Sequence, residues 1–281
     1  MITILSACGT GESSSPNATT VKNSGITVDN TWGGFAWEVA KGVDQTQFTP
    51  MQIQYPAQGF LAGSPISYLD SIADGVATAE SLIPTLGQFV LVGYSQGAQL
   101  ISEVLQSLQT GALSTYMPMM VAGVTFGNPM RQAGHTWPGD PIGCTGTGIN
   151  NQALLTSTPD NWWDMTDTYD LAGNIPTGVP GTIINDIWQA AGQVNLVSVQ
   201  QIMTAISNIA NGQSGVLEDI ISSLLANPLS AGADLTTAAT FLANALINAG
   251  TSGHTCFGTT EVGNTGLTFV QLAINYLNSY V

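Results

Sequence analysis

A serine lies between two glycines at Gly93-Tyr94-Ser95-Gln96-Gly97, which is the G-x-S-x-G spacing of a nucleophile elbow. Such a motif means something only if a strand leads into it and a helix leads out. Here the apolar run 89–93 precedes the serine, and residues 97–109 follow with helical apolar spacing. Flanking glycines let the backbone turn tightly and let a substrate come close. The helix N-terminus behind the serine favours developing negative charge. A serine hydroxyl also needs a base, and the chain has two histidines, His135 and His254. In the chain order Ser, then Asp or Glu, then His, the base comes last and near the C-terminus. His254, in a Gly/Thr loop before the final helix, fits that place. His135 stands in Gly134-His135-Thr136-Trp137-Pro138, a surface-loop composition, and is expected to be solvent-exposed or to serve a substrate loop. The acid must fall between Ser95 and His254, where Asp164, Asp167 and Asp170 cluster at the edge of a strand turning into a loop. At most one of the three is expected to orient the histidine, with the others solvated. Spacing alone does not choose among them.

Acyl transfer through a serine also needs two backbone N–H donors for the oxyanion. One is expected from Gln96, the residue after the nucleophile, and the other from a loop after an early strand. Cys8-Gly9-Thr10-Gly11 is such a loop, with Thr10 as the natural donor. A phosphate-binding loop would need a G-K-[ST] ending, which is missing here. With no CxxC or HExxH spacing and only two histidines, no metal site is expected. Cys8, Cys144 and Cys256 are too sparse for a disulfide framework, and whether Cys144 and Cys256 pair stays open.

These groups need a scaffold. Residues 2–6 and 51–55 read as strands, the second stopped by Pro56. Residues 65–83 carry apolar positions at helical spacing, 89–93 and 120–126 read as buried strands, and 13–34 read as loop. Strand, helix, strand, helix, strand is the order of a parallel α/β sheet with right-handed crossovers. After Gly173 the composition shifts. Four helical stripes follow within 180–249: one on Ile183, Ile184, Ile187, Trp188 and Ala191, a second over 199–209, a third over 216–225 and a fourth over 235–246. A Ser198-x-x-Gln201 capping box opens the second. A last amphipathic helix is expected at about 266–279. The division expected is a catalytic unit of residues 1–173 plus 251–281, with 174–250 as a helical linker or cap.

Composition narrows the partners. The 281 residues suit one large domain or a domain with an insertion. Lys and Arg total 3, the formal net charge is −15, and charged residues make up 7% against a norm of about 25%. Nucleic-acid binding needs clustered cations and is excluded, as is steering to an anionic membrane. The N-terminus lacks a basic n-region and a long apolar stretch, so no signal peptide is expected, and no window is long enough to span a bilayer.

Gly93-Tyr94-Ser95-Gln96-Gly97-Ala98 with a Gly9-Thr10-Gly11 first loop resembles the cutinase-like serine esterases. Gly127-Asn128-Pro129-Met130-Arg131-Gln132 resembles, more narrowly, the Lysin B family of mycobacteriophage esterases. The resemblance implies an α/β-hydrolase fold, cutinase-like, with a mostly parallel sheet flanked by helices and a helical insertion before the catalytic histidine. By analogy with the family's acid motif, Tyr169-Asp170-Leu171-Ala172 singles out Asp170. Cys8 replaces the histidine with which the family's first loop opens, and leaves the Thr10 backbone donor intact. The implied activity is hydrolysis of the ester joining mycolic acids to arabinogalactan, without a cofactor. The implied setting is synthesis in the host cytoplasm and action on the host envelope at lysis, with peripheral contact with its lipid layer only. Two other readings remain: a lipid or polyester esterase, virion-associated or not, and a non-catalytic envelope-binding protein on a hydrolase scaffold.

Overall fold

The computed structural model describes residues 1–12, 33–58, 66–193 and 253–281, with a few further positions between 237 and 248. Most of the predicted 13–34 loop and of the second to fourth helical stripes lies outside the described residues.

Five strands form one parallel sheet in the order β2-β1-β3-β4-β5: β1 Ile2–Ala7, β2 Phe48–Gln52, β3 Phe89–Tyr94, β4 Met120–Phe126 and β5 Trp162–Met165. Neighbouring side chains on a strand point to opposite faces, and the sequence uses both. Leu5 and Leu91 face a core built with helices α2 (Tyr68–Leu82) and α3 (Gln96–Thr110). Ile4, Val90 and Val92 face a second core built with α1 (Phe35–Gly42) and, at the C-terminus, α5 (Phe269–Asn278). Continuous apolar strands such as 89–92 are what a sheet covered on both faces requires. Gly123 of β4 has a packing reason, because a Cβ there would lie 2.0 Å from the Trp162 ring.

Two of the helices carry side-chain caps. Ser67 Oγ accepts from the Asp70 backbone N–H at 3.1 Å to cap α2, and Thr268 with Gln271 forms a capping box on α5. The second strand differs from expectation: it begins earlier, at Phe48, and contains Pro50. Because β2 lies at the sheet edge, proline's missing N–H costs no ladder bond there. The first stripe of the predicted insertion is α4, Val179–Gln193. Its Ile183 and Ile184 join Ile149, Ile175 and Ala238 in a small core apart from the two flanking the sheet.

Candidate active site

β3 delivers the chain to Ser95, which turns at φ 53°, ψ −116° before α3 begins. A non-glycine residue in this region carries about 1–3 kcal/mol of strain. Two backbone bonds hold it, Ser95 N to Phe126 O at 2.9 Å and Gln99 N to Ser95 O at 3.1 Å. The glycines are needed for closeness. A Cβ on Gly93 would lie 2.5 Å from Gly97 O, and one on Gly97 would lie 2.2 Å from Ala7 O.

His254 reaches this elbow from the other end of the chain. Its Nε2 is 2.8 Å from Ser95 Oγ, and its Nδ1 is 2.8 Å from Asp170 Oδ1. A carboxylate only accepts, so Nδ1 carries the proton and Nε2 is free to accept from the serine hydroxyl. A parallel bridge between Tyr169 and Gly253 lays the aspartate loop beside the histidine loop. Asp170 is fully buried. Its Oδ1 also accepts from Ala172 N and Gly173 N, and its Oδ2 accepts from Thr166 Oγ1. Burial pushes this carboxyl up, but His254 and the hydrogen bonds outweigh it and hold it below the ordinary carboxylate value. Tyr94 stacks on the His254 ring at 5.1 Å between centroids and donates its hydroxyl to His254 O at 3.0 Å. Gly127, at φ +56°, leaves room for the His254 ring: a Cβ there would lie 2.6 Å from His254 Cε1.

Thr10 and Gln96 face the same edge. Gln96 is the first residue of α3, and neither its backbone N–H nor that of Thr10 has a hydrogen-bond partner among the described residues. The loop between is pinned on both sides of Thr10. Gly9 N donates to Glu12 Oε2 at 2.7 Å, Gly11 N to Ala57 O at 2.9 Å, and Tyr55 Oη to Cys8 O at 2.5 Å. Gln96 is held through its side chain, which donates to Gln58 O and accepts from Ser71 Oγ.

Three expectations are corrected. Asp164 is not solvated. It is fully buried on β5, where Oδ1 accepts from Thr125 Oγ1, Asn128 Nδ2 and Trp162 Nε1. His135 is not a free surface histidine: its Nδ1 lies 2.7 Å from Asp164 Oδ2. Asp167 is buried as well, and accepts from Thr168 N and from Cys256 Sγ. Partners from distant segments account for this: Thr125, Asn128 and His135 meet Asp164, and Cys256 meets Asp167. All three cysteines are free and buried. Tyr94, Tyr55, Glu12, Asn128 and Arg131 were not assigned roles from sequence. The Gly127–Arg131 motif was the one signal available for the last two.

Comparison with known proteins adds the family. A family model for cutinase matches residues 17–191. The chain belongs to the cutinase family. It is accordingly a carboxylic-ester hydrolase with an α/β-hydrolase fold. Among solved structures, this cutinase-family chain is similar to lysin B from Mycobacteriophage D29. The two are 20% identical, the match covers 98% of each chain, and the TM-score is 0.51. It is also similar to the catalytic core domain of acetyl xylan esterase from Trichoderma reesei, at 24% identity over 69% of this chain and 95% of that one, with a TM-score of 0.44. A cutinase-like protein from Cryptococcus sp. is 17% identical over 72% and 94%, with a TM-score of 0.43. No curated protein sequence matches. Among the described residues no helix is long and apolar enough to cross a membrane.

Proposed function

We propose that this esterase works through an acyl-serine, with Ser95 as nucleophile, His254 as base and Asp170 as the group that orients it. The observation that carries the reading is the unbroken chain Ser95 Oγ–His254 Nε2, His254 Nδ1–Asp170 Oδ1, at 2.8 Å for each link. His254 takes the serine proton as Oγ attacks the ester carbon, then returns it to the departing alkoxide. Asp170 keeps the proton on Nδ1 and stabilises the imidazolium. The unpartnered N–H groups of Thr10 and Gln96 suit the oxyanion. Water then repeats the sequence on the acyl-enzyme.

For the substrate we infer the ester between mycolic acids and arabinogalactan, with peripheral contact with the lipid layer of a mycobacterial envelope during phage lysis. Support comes from the Gly127–Gln132 motif and from the full-length likeness in fold to a phage lysin B. An apolar acyl chain and an uncharged polysaccharide ask for few cations, and the chain has 3. We further infer that residues 1–173 and 251–281 form the catalytic unit and that 174–250 wall one side of the acyl cleft. Asn174, at its start, bonds to Asp170 O, and Gly253, shortly after it, bridges to Tyr169.

The test is release of free mycolic acid from purified mycolyl-arabinogalactan, run beside p-nitrophenyl butyrate and a polyester. Release that stops in Ser95→Ala supports the reading. Turnover of the butyrate or polyester with no mycolate released would leave an esterase of another substrate.

A further inference from the structure

Arg131, in the motif that the reaction leaves unused, is fully buried. A buried guanidinium normally meets a carboxylate. Here every hydrogen bond it makes to described residues goes to a neutral oxygen. Nε donates to Gly173 O, Nη1 to His135 O at 2.7 Å and Cys144 O at 3.3 Å, and Nη2 to Gly146 O at 2.7 Å and Asn174 Oδ1 at 2.9 Å. Two of these acceptors belong to the turn that shapes Asp170. Gly173 gives its own N–H to Asp170 Oδ1, and Asn174 N returns to Asp170 O at 2.8 Å. Asn174 extends the clamp, because its Nδ2 donates to Asp167 O and Thr168 O while its Oδ1 also accepts from Gly146 N. The remaining acceptors lie on the 135–146 loop across from that turn. The guanidinium therefore ties the aspartate turn to an opposing wall in a planar fork that lysine's point charge does not reproduce. The groups that feel its charge are Asp164, Cys144, Asp170 and Asp140.

We propose that Arg131 is a positioning residue for the reaction: it sets the direction of Asp170, and through it the imidazole of His254. The proposal rests on the Ser95–His254–Asp170 reading. A misplacement of about 1 Å in a catalytic group costs about 10²-fold in rate, and that is the scale expected.

The experiment compares Arg131→Met, Arg131→Lys and Asn174→Ala with wild type in kcat and KM on p-nitrophenyl butyrate, and in the far-downfield proton resonance of the His254 Nδ1–H. Arg131→Met is expected to lose about 10²-fold in kcat with KM little changed. Its far-downfield resonance should move or broaden, as the Asp170 turn loses its tie to the 135–146 loop. Arg131→Lys should lose kcat as well, because a point charge does not reproduce the planar fork. Asn174→Ala should lose several-fold in kcat, with the resonance broadened or moved. If Arg131→Met does not fold, Asn174→Ala and Arg131→Lys decide. Folded variants with wild-type kcat and resonance would overturn the proposal. The resonance also separates the two claims: an inactive wild type would sink the reaction assignment, while the resonance would still show whether Arg131 holds Asp170.

Discussion

Two histidines lean on two buried aspartates within a few residues of one another, yet the two pairs face different neighbours. His254 uses Nδ1 on Asp170 and presents Nε2 to Ser95 at 2.8 Å. His135 uses Nδ1 on Asp164 in the same manner, at 2.7 Å, and its Nε2 has no serine before it among the described residues. Both aspartates are fully buried, and both are held below the ordinary carboxylate value against the pull of burial. The donor sets also match: each aspartate accepts from three donors besides its histidine. What separates the pairs is the elbow. The end of β3 projects the Ser95 side chain at positive φ, and the Gly253-side loop brings the His254 imidazole to it. A histidine–carboxylate pair by itself is a way to bury charge and pin a loop; we propose that the strained serine beside the other pair makes that one a reaction centre. The Asp164 pair joins the 127–135 segment to β5, which in turn forms the Gly127 wall against His254.

The comparison can be broken most severely at the serine. Ser95→Ala is expected to lose about 10⁴-fold or more in kcat on p-nitrophenyl butyrate, with the far-UV spectrum and melting temperature retained. Near-normal turnover in a folded Ser95→Ala would remove the distinction between the pairs. Next in size is Asp170→Asn, expected to cost about 10⁴ in kcat because the amide can present the wrong group to Nδ1. Asp164→Asn should split the other way. The folded enzyme should keep kcat within about tenfold, since no proton transfer is assigned there. Its unfolding free energy should fall by about 1–3 kcal/mol, because buried donors lose a charged acceptor. Urea denaturation and initial rates on the same preparations check both halves. A larger kcat loss at Asp164 than at Asp170 would exchange the two roles.

A smaller effect concerns acid. A carboxyl whose folded value lies below its unfolded value of about 3.9 stabilises the fold above that value. That contribution is lost as the pH falls through the depressed native value. Asp164 and Asp170 both have this sign. Wild type should therefore lose melting temperature steeply below about pH 4, and Asp164→Asn should show a shallower decline over that window. Equal slopes would mean that Asp164 is not held down by its partners.

The elbow was legible because its glycines, its apolar lead-in and its helical follow-on are all local in sequence. His254 was legible by chain order. The choice of Asp170 was not available from spacing, because what distinguishes it lies far off in the chain. Its partners are Thr166 and Gly173 nearby, but also His254, 84 residues away. The solvated reading of Asp164 failed for the same reason, since Thr125, Asn128 and His135 come from other segments. Helix α1 escaped because its eight residues hold barely two turns of periodicity, and Gly34 before it offers no capping side chain. Strand β2 was misplaced because Pro50 reads as a breaker unless the strand is known to lie at an edge.

The most direct test of the central contrast is the rate at which a fluorophosphonate labels the protein, followed by intact mass and peptide mapping. The account predicts a single adduct on Ser95, formed at close to the wild-type rate in His135→Ala and slowed at least a hundredfold in His254→Ala. Slowing in His135→Ala equal to that in His254→Ala, or an adduct on a residue other than Ser95, would contradict it.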